Sequence, residues 1–166
     1  MGSSPSAFLA YGYDLGSDDE WKIGETDEYG GIDASNASAL AWYDDSEDAD
    51  GFIEQAERRL LAEIAGFTET WETWTGEGNF FTAEGVAKER LGVAFERYSY
   101  GEYPMFVLAS KVIDVGDDTA KVVDLAELAA HPDRPKWDAA LFDAVKTLGI
   151  TPNQERPSWL LGALYS

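Results

Sequence analysis

The side chains able to do chemistry in this chain are overwhelmingly carboxylates. Asp and Glu number 32 against 12 Lys and Arg, with one histidine and no cysteine, for a formal charge of −20. Without cysteine there are no disulfides, thiolate metal ligands or cysteine nucleophiles. One histidine cannot build the usual zinc ligand set. That residue, His131, lies in Ala130-His131-Pro132-Asp133, just ahead of a helix, and reads as a turn residue rather than a catalytic base. No glycine pattern that cradles phosphate opens a helix, and no nucleophile-elbow or Ser-x-x-Lys string occurs. Three uses of carboxylates remain: a surface for a basic partner, a cation site, and a small hydrolase working with two acids held apart in a cleft. No motif singles out such a catalytic pair.

The acids are unevenly spread. Residues 1–57 hold 15 of them against one base, Lys22. Asp18-Asp19-Glu20 and Asp44-Asp45-Ser46-Glu47-Asp48 are the densest groups. Like charges this close must be solvated or met by a cation. A basic protein surface would meet them, with Asp18, Asp19, Glu20, Asp44, Asp45, Glu47 and Asp48 as the charged contacts. Trp21, Tyr29, Trp42 and Tyr43 are the candidate apolar anchors. In its strongest form the partner is a nucleic-acid-binding protein, and the carboxylates stand in for phosphates. The competing use of these residues is plain: acids that keep the chain dissolved and aromatics buried against the core.

One stretch has ligand-like spacing. Ser46 to Glu57 is similar to the calcium loop of EF-hand proteins, with Asp48, Asp50, Gly51, Ile53 and Glu57 at positions three, five, six, eight and twelve. Ser46 departs from the Asp usual at position one, and no second hand follows. The similarity implies a calcium module with Asp48, Asp50 and Glu57 as ligands. The alternative is that Asp50 caps a helix. Apart from that calcium, no cofactor is expected.

The elements that must position these groups follow from periodicity. Ile53, Ala56, Leu60, Leu61 and Ile64 mark one face of a helix over about 51–65, which Gly66 stops. Trp137, Ala140, Leu141, Ala144, Val145 and Leu148 mark a second, opened by Pro135 and closed by Gly149. Shorter helices are read over Ala83 to Arg90 and Asn36 to Tyr43. Strands are read at Ala7 to Tyr13, Gly92 to Ser99, Met105 to Val115 and Trp159 to Tyr165, with an extra hairpin strand over Ala120 to Leu125. Residues 68–81 read as a strand or extended loop. An apolar terminal strand is expected inside the sheet, because an exposed edge invites aggregation. The whole predicts one α+β domain over 1–166. It has a mostly antiparallel sheet of four to five strands and two main helices on one face, in the order of a ferredoxin-like fold. Residues 1–6 are a flexible start and 16–50 a long acidic insertion.

Phe8-Leu9-Ala10-Tyr11-Gly12-Tyr13-Asp14-Leu15-Gly16, Ala56-Glu57-Arg58-Arg59-Leu60-Leu61 and Pro157-Ser158-Trp159-Leu160-Leu161 together resemble small acidic proteins of actinobacterial phages and their hosts, an uncharacterised group. The resemblance implies an accessory role in phage or host biology and carries no site residues. The charge balance excludes direct binding of nucleic acid and of anionic membranes, and no apolar run of about 18 residues spans a bilayer. With no leader in view and no cysteine, the expected compartment is the cytoplasm. The function expected is a non-enzymatic acidic interaction protein.

Overall fold

A computed structural model describes residues 5–33, 40–98 and 103–165. Its elements, in chain order, are β1 (Pro5–Ser17), α1 (Phe52–Glu63), α2 (Phe80–Leu91), β2 (Ala94–Tyr98), β3 (Met105–Val115), α3 (Leu125–Ala129), α4 (Arg134–Leu148) and β4 (Ser158–Tyr165). The strands form one sheet in the order β2-β3-β1-β4, with every pair antiparallel. β1 and β2 therefore run parallel with β3 between them, and β3 and β4 run parallel with β1 between them. These are the two interlocked split β-α-β units of a ferredoxin-like arrangement, within the α+β class read from the sequence.

Strand alternation divides the core in two. Tyr11 and Leu15 of β1 and Leu108 of β3 face the helices. There they join Ala56, Leu60 and Leu61 of α1, Ala87 and Leu91 of α2, and Trp137, Leu141, Ala144 and Leu148 of α4. Ala10, Val107 and Ala109 face the other way, under Phe8, Tyr98, Val112 and Leu160. Among the described residues no helix packs on that cluster, and the sheet curls around it. Cα atoms of β2 and β4 approach within 8 Å, although three flat strand spacings would set these strands ~14 Å apart. Tyr98 reaches across to Phe8, ring centroids 5.7 Å apart, and donates its hydroxyl to Asp14 at 2.7 Å. Gly12 permits the tight backbone at the centre, since a Cβ there would lie 1.8 Å from the Leu108 carbonyl oxygen.

The acidic insertion is woven into this core. Trp21, Ile23 and Leu40 are buried. Ile23 forms a bridge to Pro152, and the buried Glu25 carboxylate accepts from the Thr151 N–H and hydroxyl, both at 2.9 Å. Glu25 thus ties the insertion to the approach to β4.

Several expectations are corrected. β4 is an edge strand, not an internal one, because β1 pairs with β3 on its other side. Leu161 is consequently 79% exposed. No strand forms over Ala120 to Leu125: Asp124 accepts from the N–H groups of Ala126 and Glu127 and starts α3 instead. Residues 1–4 of the expected flexible start lie outside the described residues, and Pro5 and Ser6 belong to β1. Gly51, not Asp50, is the N-cap of α1, without a side-chain bond. Of the two readings of residues 68–81, 68–79 take the loop and not the strand, with a turn in which the Thr70 and Thr73 hydroxyls bond each other's backbone N–H. α2 begins at Phe80 because Asn79 accepts the Phe81 N–H at 2.8 Å. Residues 36–39 of the short helix expected before Tyr43 lie outside the described residues, and Leu40 to Tyr43 makes a turn closed by a 3.0 Å bond. Among the described residues no helix is long and apolar enough to cross a membrane.

Candidate interaction surface

The acidic loop before α1 rests on an aromatic bed. Phe52, the first residue of α1, is buried against Trp21, Trp42 and Tyr43, with ring centroids 4.9, 5.5 and 5.4 Å away. Trp42 also donates its indole N–H to the Leu148 carbonyl at 2.8 Å. Trp42 and Tyr43 are therefore committed to the fold, as is the buried Trp21, whereas Tyr29 is 81% exposed. Trp42 packs inward, and Tyr43 leaves only part of its ring outside.

Gln55, a polar residue on the buried face of α1, fixes the loop above. Its amide oxygen accepts the Asp44 N–H, and its amide nitrogen donates to the carbonyls of Asp44 and Asp50 at 2.8 and 2.6 Å. The carboxylates are carried outward on that frame. Asp44 accepts the Ser46 N–H at 3.0 Å, which holds its carboxyl below the usual range. Asp18 approaches from the turn after β1. Burial, then the nearby charge of Glu54, pushes its carboxyl up. Burial and the charges of Asp45, Asp18 and Asp44 push the Tyr43 hydroxyl up. Acids from two places in the sequence, the turn after β1 and the loop before α1, thus crowd one aromatic ring.

Comparison with known protein families, curated proteins and solved structures finds no match. The reading of this surface therefore rests on its own geometry.

Of the seven charged residues singled out as partner contacts, Asp18, Asp44 and Asp45 are gathered around Tyr43. Asp19 and Glu20 stand exposed at the turn between Ser17 and Trp21, and Glu47 and Asp48 stand exposed along the Gln55-held loop. The calcium-loop residues are not drawn together. Asp50 pairs with Arg58 at 2.5 Å and Glu57 with Lys88 at 3.2 Å. Among the described residues no group of three or more His, Asp or Glu side chains is placed to hold a metal ion. His131 stacks on Trp137 at 4.6 Å and accepts the Asp133 N–H, a helix-entry role.

A cleft of about 350 Å³ opens beside this surface, between α1, the turns after it and the start of α2. Its floor is aromatic, with Phe67 and Phe80 centroids 5.8 Å apart. Its rim carries Trp71, 68% exposed, and Phe81, 69% exposed. Glu54, Glu57, Glu69 and Glu84 line it. Lys88 bridges Glu57 and Glu84 at 3.2 and 3.3 Å; burial lowers its affinity for a proton, and the two glutamates more than restore it. Glu69 keeps one carboxylate oxygen out of contact with solvent and without a hydrogen-bond partner. Sequence reading missed this cleft. Its only local trace is the run of Thr and Trp over 68–75, whose composition reads as a strand or extended loop.

Proposed function

We propose that this chain is a non-enzymatic interaction module that presents an acidic face to a basic protein surface. One observation carries the reading: Asp18, Asp44, Asp45 and Glu54 are held close together, and among the described residues no Lys or Arg is paired with them. The arrangement has a cost at Asp18, where burial and then the charge of Glu54 push the carboxyl up. A fold that keeps unfavourable like charges in one rigid place is consistent with selection for recognition rather than stability. Cations from a partner would relieve the repulsion, and the field would speed their arrival. In the strongest form of the proposal the partner's own groove binds nucleic acid and the carboxylates compete with phosphates, in keeping with the accessory role that the phage resemblance implies.

Indiscriminate attraction to 32 acids must be separated from recognition at one face. The test is NMR titration with a twenty-residue Lys/Arg peptide at two salt concentrations. The expected perturbations concentrate at Asp18 and Asp44 to Asp50 and weaken as salt rises. The combined change Asp44→Asn, Asp45→Asn, Glu47→Gln and Asp48→Asn abolishes them. Perturbations spread evenly over the acids of α2, α4 and this loop overturn the proposal.

A further inference from the structure

We infer that the cleft between α1 and α2 receives an arginine side chain from the basic partner; the inference rests on the acidic-face reading for the partner's charge. Glu54 connects the two sites. It lies close enough to Asp18 to push that carboxyl up, and it also lines the cleft, so the acidic face runs directly into the opening. Inside, the charge is only partly balanced. Lys88 answers Glu57 and Glu84, and Arg58 is turned to Asp50, which leaves Glu54 and Glu69 without a cation among the described residues. The shielded oxygen of Glu69 lacks a donor. The cleft therefore has two unmet features on its open side: uncompensated negative charge, and an exposed indole, Trp71, with a phenyl ring, Phe81, on the rim.

A guanidinium group meets both. It is permanently cationic, offers N–H donors in a fork that matches a carboxylate, and stacks flat on an aromatic face. An ammonium supplies charge but neither the fork nor the stack. A volume of about 350 Å³ lies at the small end of ligand pockets, roughly 300–1,000 Å³. It suits one long side chain with its flanking backbone.

The probes are two blocked tripeptides, acetyl-Gly-Arg-Gly-amide and its citrulline counterpart, which keeps the shape and loses the charge. The readout is the Trp71 indole resonance, assigned by its loss in Trp71→Phe. The arginine peptide is expected to shift that resonance and the backbone of Thr68 to Trp71 with a saturating curve, and the citrulline peptide is not. Glu69→Gln is expected to weaken the arginine peptide about tenfold. The Asp44/Asp45/Glu47/Asp48 combined variant is expected to leave it nearly unchanged. Equal responses to the two peptides, or an arginine response that bypasses Trp71, overturn the cleft assignment while the acidic face stands. A saturating Trp71 response together with failure of the twenty-residue peptide at Asp44 to Asp50 upholds the cleft and overturns the acidic face.

Discussion

Gln55 clasps the backbone of Asp44 from both sides, accepting its N–H at 2.9 Å and donating to its carbonyl at 2.8 Å. The same amide nitrogen reaches the Asp50 carbonyl at 2.6 Å. A side-chain amide here does what a neighbouring strand does elsewhere, satisfying backbone groups that a loop pressed onto a core would otherwise leave bare. The most acidic segment of the chain is thereby fixed to the first turn of α1.

Gln55→Leu keeps the volume of the side chain and removes all three bonds. Asp44 N–H and two carbonyls lose their partner beside a buried helix face. The expected loss is about 2–3 kcal/mol, read as a lower urea midpoint with an unchanged slope. Hydrogen exchange at the Asp44 amide should quicken by more than global unfolding accounts for. Unaltered exchange there would show that the loop is held by other means.

Asp18 gives a pH signature. Its carboxyl is raised above the ordinary 3.8 by burial and Glu54, so the native state holds that proton more tightly than the unfolded chain. The contribution favours folding below 3.8 and is lost as pH rises through the raised value. At neutral pH the charged group burdens the fold. Asp18→Asn is therefore expected to raise Tm near pH 7 by about 1–2 °C, a small effect because the site is largely open to water. The gap should close on acidification, as the wild-type carboxyl becomes neutral in both states. A gap that stays constant with pH would show that Asp18 carries no electrostatic burden. Asp44, whose carboxyl is lowered, has the opposite sign: its contribution is present above 3.8 and fades as pH falls through its folded value.

Tyr11 joins the sheet to α4 through a buried ring and one hydroxyl. The hydroxyl donates to Asp138 at 2.5 Å and accepts from the Arg134 Nε–H at 3.1 Å. Its own proton is held more firmly through burial first, then the Asp138 hydrogen bond. Tyr11→Phe leaves the ring packed against Trp137 and Trp159 and removes only the polar link. The expected cost is about 1–2 kcal/mol, or a Tm lower by roughly 2–6 °C in a domain of this size. A double-mutant cycle with Asp138→Ala should show coupling, and strict additivity would argue against the link.

Two glycines make a matched pair for the curled sheet. Gly12→Ala drives a methyl group to 1.8 Å from the Leu108 carbonyl oxygen, where only backbone can yield. A loss of about 3 kcal/mol or more is expected, with poor recovery of folded protein. Gly85→Ala in α2 meets nothing within 4 Å and is expected to stabilise by about 0.5–1 kcal/mol through helix propensity. Thermal melts of the two variants should move in opposite directions.

Much of the local architecture was legible before any fold was known. The stripe Trp137, Leu141, Ala144 and Leu148 forms the buried face of α4, and the alternation through Val93 to Tyr98 becomes β2. Periodicity shows in any element that buries one face. The ends of elements were harder. Asp124 lay in a stretch apolar enough for a strand, yet its carboxylate caps α3, a choice made by a pair of N–H groups two and three residues on. Gln55 gave no signal either, because a polar residue in a helix reads as solvent-facing until something is found above it.

By itself the sequence determined which segments bury one face and how heavily the first third is charged, because both are properties of neighbours along the chain. Only the tertiary structure decided where those charges meet. Asp18, Asp44 and Glu54 are far apart in sequence and converge because the insertion threads Trp21 and Ile23 into the core and Gln55 holds the loop down. The cleft arose the same way, from Glu54 on α1, Glu69 in a turn and Glu84 on α2. The edge position of β4 followed from which strands β1 accepts on its two sides. These are non-local pairings, and hydrophobic spacing carries no record of them.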